Sequence, residues 1–292
     1  MWDLLIVGGA LIDGSGAPAR PASIALRGDR ISAIDPPDDT AAVRLDASGC
    51  VVCPGFIDVH GHSDSSLFLN RRMESKVRQG ITTEIIGNCG TSLAPLAGEA
   101  VGIVERELDG YGVLLTWRSV ADYLAAVEAG GVAVNVGLLT GHDALRHSTV
   151  GTTARPATMS ERTAMAHLLD RALADGAIGL SSGLAYTPGA FAEPDEIAAL
   201  ACVVAGSGIY ATHLRDEGAG LRASIAEALD VTRRSGVTLE ISHLKASGAS
   251  MHGSLPAILD WLAAERDDGL DVGWDCYPYT AASTTLAATF PP

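Results

Sequence analysis

PGFIDVHGHSD, residues 54–64, is the stretch from which the fold of this chain is deduced. Its apolar and β-branched residues favour extended structure, so it predicts a buried strand that begins after a Pro-Gly turn. Side chains alternate between the two faces of a strand, so His60 and His62 point the same way, with Gly61 leaving room between them. Two such imidazoles form half of a metal site if further ligands converge on them, and are structural histidines if none do.

The composition is that of a globular protein rather than a membrane or low-complexity one. The chain has 292 residues, of which 47% are hydrophobic, and a formal net charge of −15. No apolar run approaches the ~20 residues of a membrane helix, and the start lacks the pattern of a secretory signal. The charge argues against nucleic acid, whose phosphates would be repelled. We therefore expect a cytoplasmic protein that acts on a small molecule, with no membrane partner.

Cysteine and lysine are both sparse. The five cysteines are scattered and odd in number, so they do not indicate a disulfide framework. Cys50 and Cys53 form one Cys-x-x-Cys, which without a second pair is more typical of strand cysteines than of a zinc knuckle. Lys76 and Lys245 are the two lysines of the sequence.

The pattern of apolar segments changes near residue 53. Residues 1–52 contain short apolar runs between Gly-rich turns and predict a small antiparallel β domain, the first portion of a β-sandwich-type domain. Residues 53–292 alternate strands with helices, which is typical of a parallel sheet. We predict strands near 56–60, 82–88, 132–139, 177–182, 209–213, 238–243 and 271–277. We predict helices near 71–79, 118–129, 160–175, 194–206, 218–235 and 254–266, with Ser160 and Pro194 as start signals.

Seven such strands predict an α/β protein with a (β/α)8 TIM-like barrel in which one of eight strands is lacking. A barrel without its last strand has two unpaired edges and an open core. We therefore expect the sequence to be a fragment, or a truncated form, of a longer protein.

Ligand-type side chains follow several of the predicted strands. His60 and His62 follow the first, Cys89 the second, His213 the fifth and His243 the sixth. Functional groups of such barrels lie at the carboxyl ends of the strands, so these five residues should share one rim. Nitrogen and sulfur ligands favour zinc, and five of them suffice for one full site and part of a second. His142 also follows a strand and is either a substrate contact or an ordinary loop histidine.

At these positions the sequence resembles the amidohydrolase superfamily, and within it the D-aminoacylases, the N-acyl-D-amino-acid deacylases. The resemblance runs through nearly the whole chain, in Pro54-Gly-Phe-Ile-Asp-Val-His-Gly-His, Gly87-Asn-Cys-Gly, Gly183-Leu-Ala-Tyr-Thr-Pro-Gly, Thr212-His-Leu-Arg-Asp-Glu-Gly and Ile241-Ser-His-Leu-Lys. Many relatives bridge two metals with a carboxylated lysine, but no lysine lies between Lys76 and Lys245. The D-aminoacylases use a cysteine instead, which Cys89 can supply.

The resemblance implies a zinc-dependent hydrolase of N-acyl-D-amino acids. Cys89, His213 and His243 would hold a tight zinc, and His60 and His62 would belong to a second, weaker site. The general base would be an aspartate at the end of strand eight, which is expected beyond Pro292. Activity of this chain alone is therefore doubtful.

Further residues follow the same strands and are candidates for contacts with the substrate. Lys245 is the candidate cation for the substrate carboxylate, and Tyr186 and Tyr277 are either substrate contacts or half-buried tyrosines. Three residues are candidates for orienting the metal ligands without binding the metal themselves: Asp58, Arg215 and Asp216. Two other functions remain open: a cyclic-amide hydrolase of the dihydroorotase or hydantoinase type, and an inert metal-binding homologue. The preferred side chain, the loaded metal and the oligomeric state are not indicated by the sequence.

Overall fold

The computed structural model describes residues 1–286, which form two compact units, Met1–Phe56 and the part of the chain from Ile57 onward. The first unit is a five-stranded sheet. Its strands are β1 (Trp2–Leu11), β2 (Arg20–Arg27), β3 (Arg30–Ile34), β4 (Ala41–Asp46) and β5 (Val51–Val52).

The sheet of the first unit is mixed rather than wholly antiparallel. β1 pairs with β2 and β2 with β3 in the expected antiparallel hairpins. After β3 the chain crosses the sheet, so β4 pairs with β1 in parallel, and β5 pairs with the end of β1 in the same sense. The short apolar runs predicted β1, β2 and β3, while the parallel partners depend on this crossing, which has no local signal.

The second unit contains a seven-stranded sheet in the simple order β6 to β12, which confirms the predicted barrel-type α/β fold. The strands are β6 (Phe56–Asp58), β7 (Ile81–Ile86), β8 (Asn135–Gly141), β9 (Gly179–Gly183), β10 (Ile209–His213), β11 (Thr238–Ile241) and β12 (Val272–Trp274). All pairings from β7 to β12 are parallel. Parallel pairing places the carboxyl ends of these strands along one rim.

Helices alternate with these strands. They are α1 (Glu74–Val77), α2 (Gly98–Asp109), α3 (Val120–Gly130), α4 (His142–Thr149), α5 (Met159–Ala174), α6 (Pro194–Val204), α7 (Leu221–Ser235) and α8 (Leu255–Asp267). Short 3-10 turns occur at Ser66–Phe68, Gly189–Phe191 and Ala249–Met251. None of the helices within the described residues is long and apolar enough to cross a membrane.

The sequence predicted all of these helices except α2 and α4. α4 begins directly after β8 at Gly141, with no side chain capping its first turn, so the usual start signal is missing. The start of α5 was misassigned: the capping hydroxyl belongs to Thr158, not to Ser160. Thr158 accepts a hydrogen bond from the backbone of Glu161, whose side chain binds back to Thr158. Pro194 does occupy the first turn of α6, ahead of acidic residues, as predicted.

The core lies between the sheet and the helices that cover it. Leu180, Tyr210 and Leu239 from the strands are buried against Leu169 and Ile197 from the helices. This packing holds one face of each strand rigidly, so residues at the strand ends are held in defined positions.

Candidate metal centre

The five predicted ligand residues lie together at the rim of the seven-stranded sheet. Cys89 is central: its Sγ lies 3.3 Å from Nε2 of His60, 3.4 Å from Nε2 of His243 and 3.7 Å from Nδ1 of His213. Two ligand sets share this thiol, one with His60 and His62 and one with His213 and His243, and within each set the ligand atoms are within 4.8 Å of one another.

These separations fit a tetrahedral zinc ion. With bonds of about 2.3 Å to sulfur and about 2.0 Å to nitrogen, two ligand atoms on such an ion lie about 3.5 Å apart. The distances from Cys89 Sγ bracket that value. The donors are also of the kind that zinc prefers, one thiol and several imidazoles. The residues therefore fit the metal that the sequence suggested.

A strained turn presents Cys89 to the site. Gly87, Cys89 and Gly90 have positive φ angles of 78°, 53° and 82°, so a cysteine here adopts a conformation that L-residues avoid. A Cβ on Gly87 would lie 2.0 Å from the carbonyl oxygen of Leu139, so only glycine fits. The side chain of Asn88 holds the turn by donating to the carbonyl oxygen of Ile85 at 3.0 Å.

Asp275 holds two of the imidazole residues and was missed by the sequence analysis. Its Oδ1 accepts a hydrogen bond of 2.8 Å from the backbone of His243, another residue with positive φ, at 37°. Its Oδ2 lies 3.3 Å from Nδ1 of His60, outside hydrogen-bond geometry. Asp275 directly follows β12, so the strand-end criterion that selected the histidines could have identified it.

Glu217 is the second missed residue. Its Oε1 lies 3.0 Å from Nδ1 of His243, 4.0 Å from Nε2 of His213 and 2.5 Å from Nζ of Lys245. A carboxylate that faces the ring nitrogen not used as a metal ligand sets the orientation of the imidazole. The sequence analysis chose the two preceding residues, Arg215 and Asp216, instead.

Those two residues bind other parts of the structure. Arg215 forms two hydrogen bonds with Glu227, of 2.8 and 3.0 Å, and reaches backbone carbonyls of the 190–192 turn. Asp216 accepts from the backbone of Gly218 and Gly220 and so shapes the loop before α7. Their contacts fasten the segment that carries Glu217, because residues 215–217 leave β10 without regular structure.

Burial favours the uncharged forms of three of the ligand groups, His62, His213 and Cys89. Burial, reinforced by the neighbouring imidazoles, lowers the pKa of His62 to about 4 and that of His213 to about 3. Burial, followed by the nearby carboxylate of Glu217, raises the pKa of the Cys89 thiol to about 12. Two of the imidazoles are thus neutral and ready to bind at neutral pH, whereas the thiol has to lose a proton first.

The predicted substrate-contact residues border the same site. A cavity of about 240 Å³ is lined by Lys245, Tyr186 and Tyr277 together with ligand residues. The ammonium of Lys245 contacts Glu217 and lies 2.8 Å from Nδ1 of His243. The Tyr186 hydroxyl is 2.9 Å from Oγ1 of Thr284.

Asp58 is the last residue of β6 and forms an ion pair rather than contacting an imidazole ring. Its Oδ2 pairs with Lys76, and its Oδ1 accepts from the backbone of His60 at 3.1 Å. Lys76 is also 3.0 Å from the buried Glu84, whose carboxylate would be 2.0 Å from a Cβ on Gly61. The glycine between the histidines is therefore required by Glu84 as well as by the spacing of the rings.

His142 is a buried residue of α4 rather than a loop histidine. Its Nε2 lies 2.8 Å from Oε1 of Glu196, which also pairs with Arg146 at 2.7 Å. All three side chains are fully buried. The structure thus places His142 in an ion-pair cluster between α4 and α6. The aspartate expected as general base beyond Pro292 lies outside the described residues.

Curated deacylases are similar to this chain in sequence. Over 291 residues the chain is 44% identical to the D-aminoacylase of Alcaligenes xylosoxydans xylosoxydans. This alignment covers 98% of the chain and 59% of the relative. It is 41% identical to the N-acyl-D-glutamate deacylase of the same organism, over 97% of this chain and 58% of the relative. The chain thus spans less than two thirds of the length of these relatives.

A solved structure gives a similar result. The N-acyl-D-glutamate deacylase of Bordetella bronchiseptica, determined with zinc and a phosphonate inhibitor that mimics the tetrahedral intermediate, superposes with a TM-score of 0.86. It is 37% identical and covers 95% of this chain, while the chain covers 59% of it. A model of the amidohydrolase family matches residues 44–275. The chain belongs to the amidohydrolase family.

Proposed function

We propose that this chain carries the zinc centre of an N-acyl-D-amino-acid deacylase, which hydrolyses the amide bond to release a carboxylate and a free D-amino acid. The observation that carries the proposal is the convergence of one thiol and four imidazoles at separations suited to tetrahedral zinc. The similarity to relatives named as D-aminoacylase and N-acyl-D-glutamate deacylase supports the substrate class. We further propose that the working enzyme includes sequence beyond this chain, in proportion to the greater length of those relatives.

In this proposal Cys89, His213 and His243 hold the tight zinc, and His60 and His62 form a weaker second site that shares the thiol. Zinc bound there would lower the pKa of a water molecule toward neutrality and polarise the acyl carbonyl, so that hydrolysis proceeds at neutral pH. The aspartate expected outside the described residues would accept the proton and pass it to the leaving amine.

The remaining residues position these groups and the substrate. Glu217 would orient His243 through Nδ1, and Asp275 holds the strained backbone of His243 and lies beside His60. Lys245 would pair with the substrate carboxylate, with Tyr186 and Tyr277 lining the same cavity.

We infer a cytoplasmic location, because all five cysteines carry free thiols and a thiol ligand such as Cys89 is best preserved in a reducing compartment. A cyclic-amide hydrolase is disfavoured, since the position of a bridging lysine is taken by a cysteine.

The test is to load the purified chain with zinc and to assay N-acetyl-D-methionine and N-acetyl-L-methionine in parallel. We expect zinc to bind and, where turnover occurs, only the D substrate to be cleaved. Cys89→Ala should abolish zinc binding and hydrolysis. Cys202→Ala, at an exposed free cysteine of α6, is the matched control and should leave both intact. Zinc binding without any hydrolysis would instead support an inert metal-binding homologue if the native protein, by intact mass, is no longer than this chain.

A further inference from the structure

A second cavity adjoins the metal centre on the side away from Lys245. It has a volume of about 510 Å³ and shares His62, Cys89 and Tyr186 with the smaller cavity that contains Lys245. Three carboxyl side chains line it, those of Asp64, Glu107 and Asp143, and its remaining polar lining consists mainly of serine and threonine. We call it the acidic cavity. Neither lysine nor arginine occurs among its lining residues in the described part of the chain.

Two of the three carboxyls each have one buried oxygen atom without a hydrogen-bond partner. Asp64 and Asp143 are each 7% exposed, and within residues 1–286 the Oδ1 atom of each has no hydrogen-bond partner. Such atoms are costly unless something pairs with them, because burial removes the water that would otherwise solvate a carboxylate. Burial accordingly raises the pKa of Asp143 well above its usual value, although Arg146 opposes this. Within the described residues, the lining thus provides no lysine or arginine as a counter-cation for these carboxyls.

The backbone fits closely around Asp143 and restricts the position of its carboxyl group. A Cβ on Gly90 would lie 3.2 Å from the carboxyl group, and one on Gly189 would lie 2.9 Å from Oδ1. The backbone of Asp143 also donates to the carbonyl oxygen of Gly90 at 2.8 Å, which ties it to the turn that carries Cys89. Close contacts with Gly90 and Gly189 thus hold this carboxyl next to the turn that carries Cys89.

The missing cation is not a metal ion held by these three groups. The carboxylates of Asp64, Glu107 and Asp143 do not come within 4.8 Å of one another as a set, since the only such sets found among the described residues are the two built on Cys89. Groups spread around a cavity suit an organic cation with several N–H donors. An ammonium or guanidinium on a flexible chain meets this requirement.

We propose that the acidic cavity receives the side chain of the D-amino acid and selects substrates whose side chain carries an amino or guanidino group, with Asp143 as the specificity-determining residue. The inference rests on the proposed deacylase function. A substrate with its α-carboxylate at Lys245 leaves its acyl group or its side chain for the acidic cavity. A simple acyl chain offers no donor to three carboxyls, whereas a cationic side chain does. An acidic side chain would find no lysine or arginine in the lining with which to pair and would be rejected.

The test compares the binding of three N-acetyl-D-amino acids to the zinc-loaded chain by titration calorimetry: lysine, its uncharged counterpart norleucine, and glutamate. We expect the lysine derivative to bind at least about tenfold more tightly than the norleucine derivative, as a charged hydrogen bond provides, and the glutamate derivative to bind weakest. Asp143→Asn and Glu107→Gln should each reduce the preference for lysine. Asp230→Asn removes an exposed carboxylate of α7 and should not change it.

The outcomes separate this inference from the proposed function. Equal affinities for lysine and norleucine, or a preference that survives both cavity variants, would overturn the inference alone. Glu107 is exposed, so its variant remains informative even if Asp143→Asn disturbs folding. Equal binding of the D and L enantiomers of the lysine derivative, measured in the same way, would contradict the deacylase proposal. The role of the acidic cavity in selecting the side chain would then be unaffected. Failure of all three compounds to bind would refute both.

Discussion

Cys89 illustrates how single residues define the chemistry of the site. It is buried, has a positive φ, and its thiol is shared by both ligand sets. Its raised pKa, about 12, means that zinc has to displace a proton to bind at neutral pH. The left-handed turn that holds it in place costs stability, which is typical of functional sites.

We predict that zinc binding between pH 7 and 9 releases about one proton and tightens about tenfold per pH unit. The sign follows because the thiolate binds the metal and its fraction rises with pH below the pKa. Titration calorimetry in two buffers of different ionisation enthalpy measures the proton release. Cys89→Ala should remove the pH dependence of any residual binding. An affinity that does not vary with pH would contradict the assignment of Cys89 as a ligand.

Asp64 provides a second test at this scale, through stability rather than binding. Burial, more than the nearby Glu107 and Glu84, raises its pKa from 3.8 to about 7. The folded state therefore holds this proton more tightly than the unfolded state, so its contribution to stability is present below about pH 4 and is lost as pH rises through about 7. Asp64→Asn should avoid that loss.

We expect the metal-free Asp64→Asn variant to be more stable than the parent chain at pH 8 by about 2–4 kcal/mol, and similar to it near pH 4. Urea denaturation at several pH values measures the difference. Asp230→Asn, at an exposed site, should show no such trend with pH. A difference that is constant with pH would mean that Asp64 is not the group responsible.

At the scale of elements, α4 and α6 are joined by buried charges rather than by apolar contacts alone. Arg146 donates to both oxygens of Glu196 at 2.7 and 2.8 Å, and His142 contacts the same carboxylate. Removing one partner of such a pair leaves the other charge buried and unpaired.

We predict that Glu196→Gln lowers the free energy of unfolding by about 3 kcal/mol. The neighbouring Asp195 offers a matched control, because it pairs with Arg234 at a similar distance of 2.8 Å but is 67% exposed. Asp195→Asn should cost far less, since water screens an exposed pair. Equal losses in the two variants would show that burial does not govern the strength of the α4–α6 connection.

The sequence predicted most elements of the barrel because their signals are local. Apolar runs between turns located the strands, and apolar periodicity located the longer helices. α4 was not predicted because it follows β8 without a turn. Its buried positions include polar residues, so the sequence lacks the apolar periodicity that would indicate a helix. The parallel strands of the first unit escaped because pairing between distant segments leaves no trace in either segment alone.

At the scale of the molecule, the seven-stranded sheet is open within residues 1–286. β6 and β12 each have one neighbour in it. Ile57 in β6 is 61% exposed and Val59 just after it is 44% exposed, so one edge is both unpaired and apolar. Such edges promote association with other strands.

We therefore expect the chain to self-associate with rising concentration, and Ile57→Lys to reduce this, because a charge on an edge strand opposes pairing. Light scattering coupled to size exclusion measures the mass over a range of concentrations. Ile31→Lys, at an exposed apolar residue of β3 in the other unit, is the control and should have a smaller effect. A monomer at all concentrations would show that the edge is protected.

By itself the sequence predicted the barrel-type fold and brought five candidate ligand residues to one rim, where the structure has them together. This was possible because parallel strands end at one rim, so residues after different strands meet there whatever the details of packing. The tertiary structure alone decided which groups surround them: Glu217 in place of its two neighbours, Asp275 behind His60, and the carboxyls of the acidic cavity. Those contacts depend on the path of loops and on the distance between separate strands. No local pattern encodes either of these, because they result from packing of the whole unit.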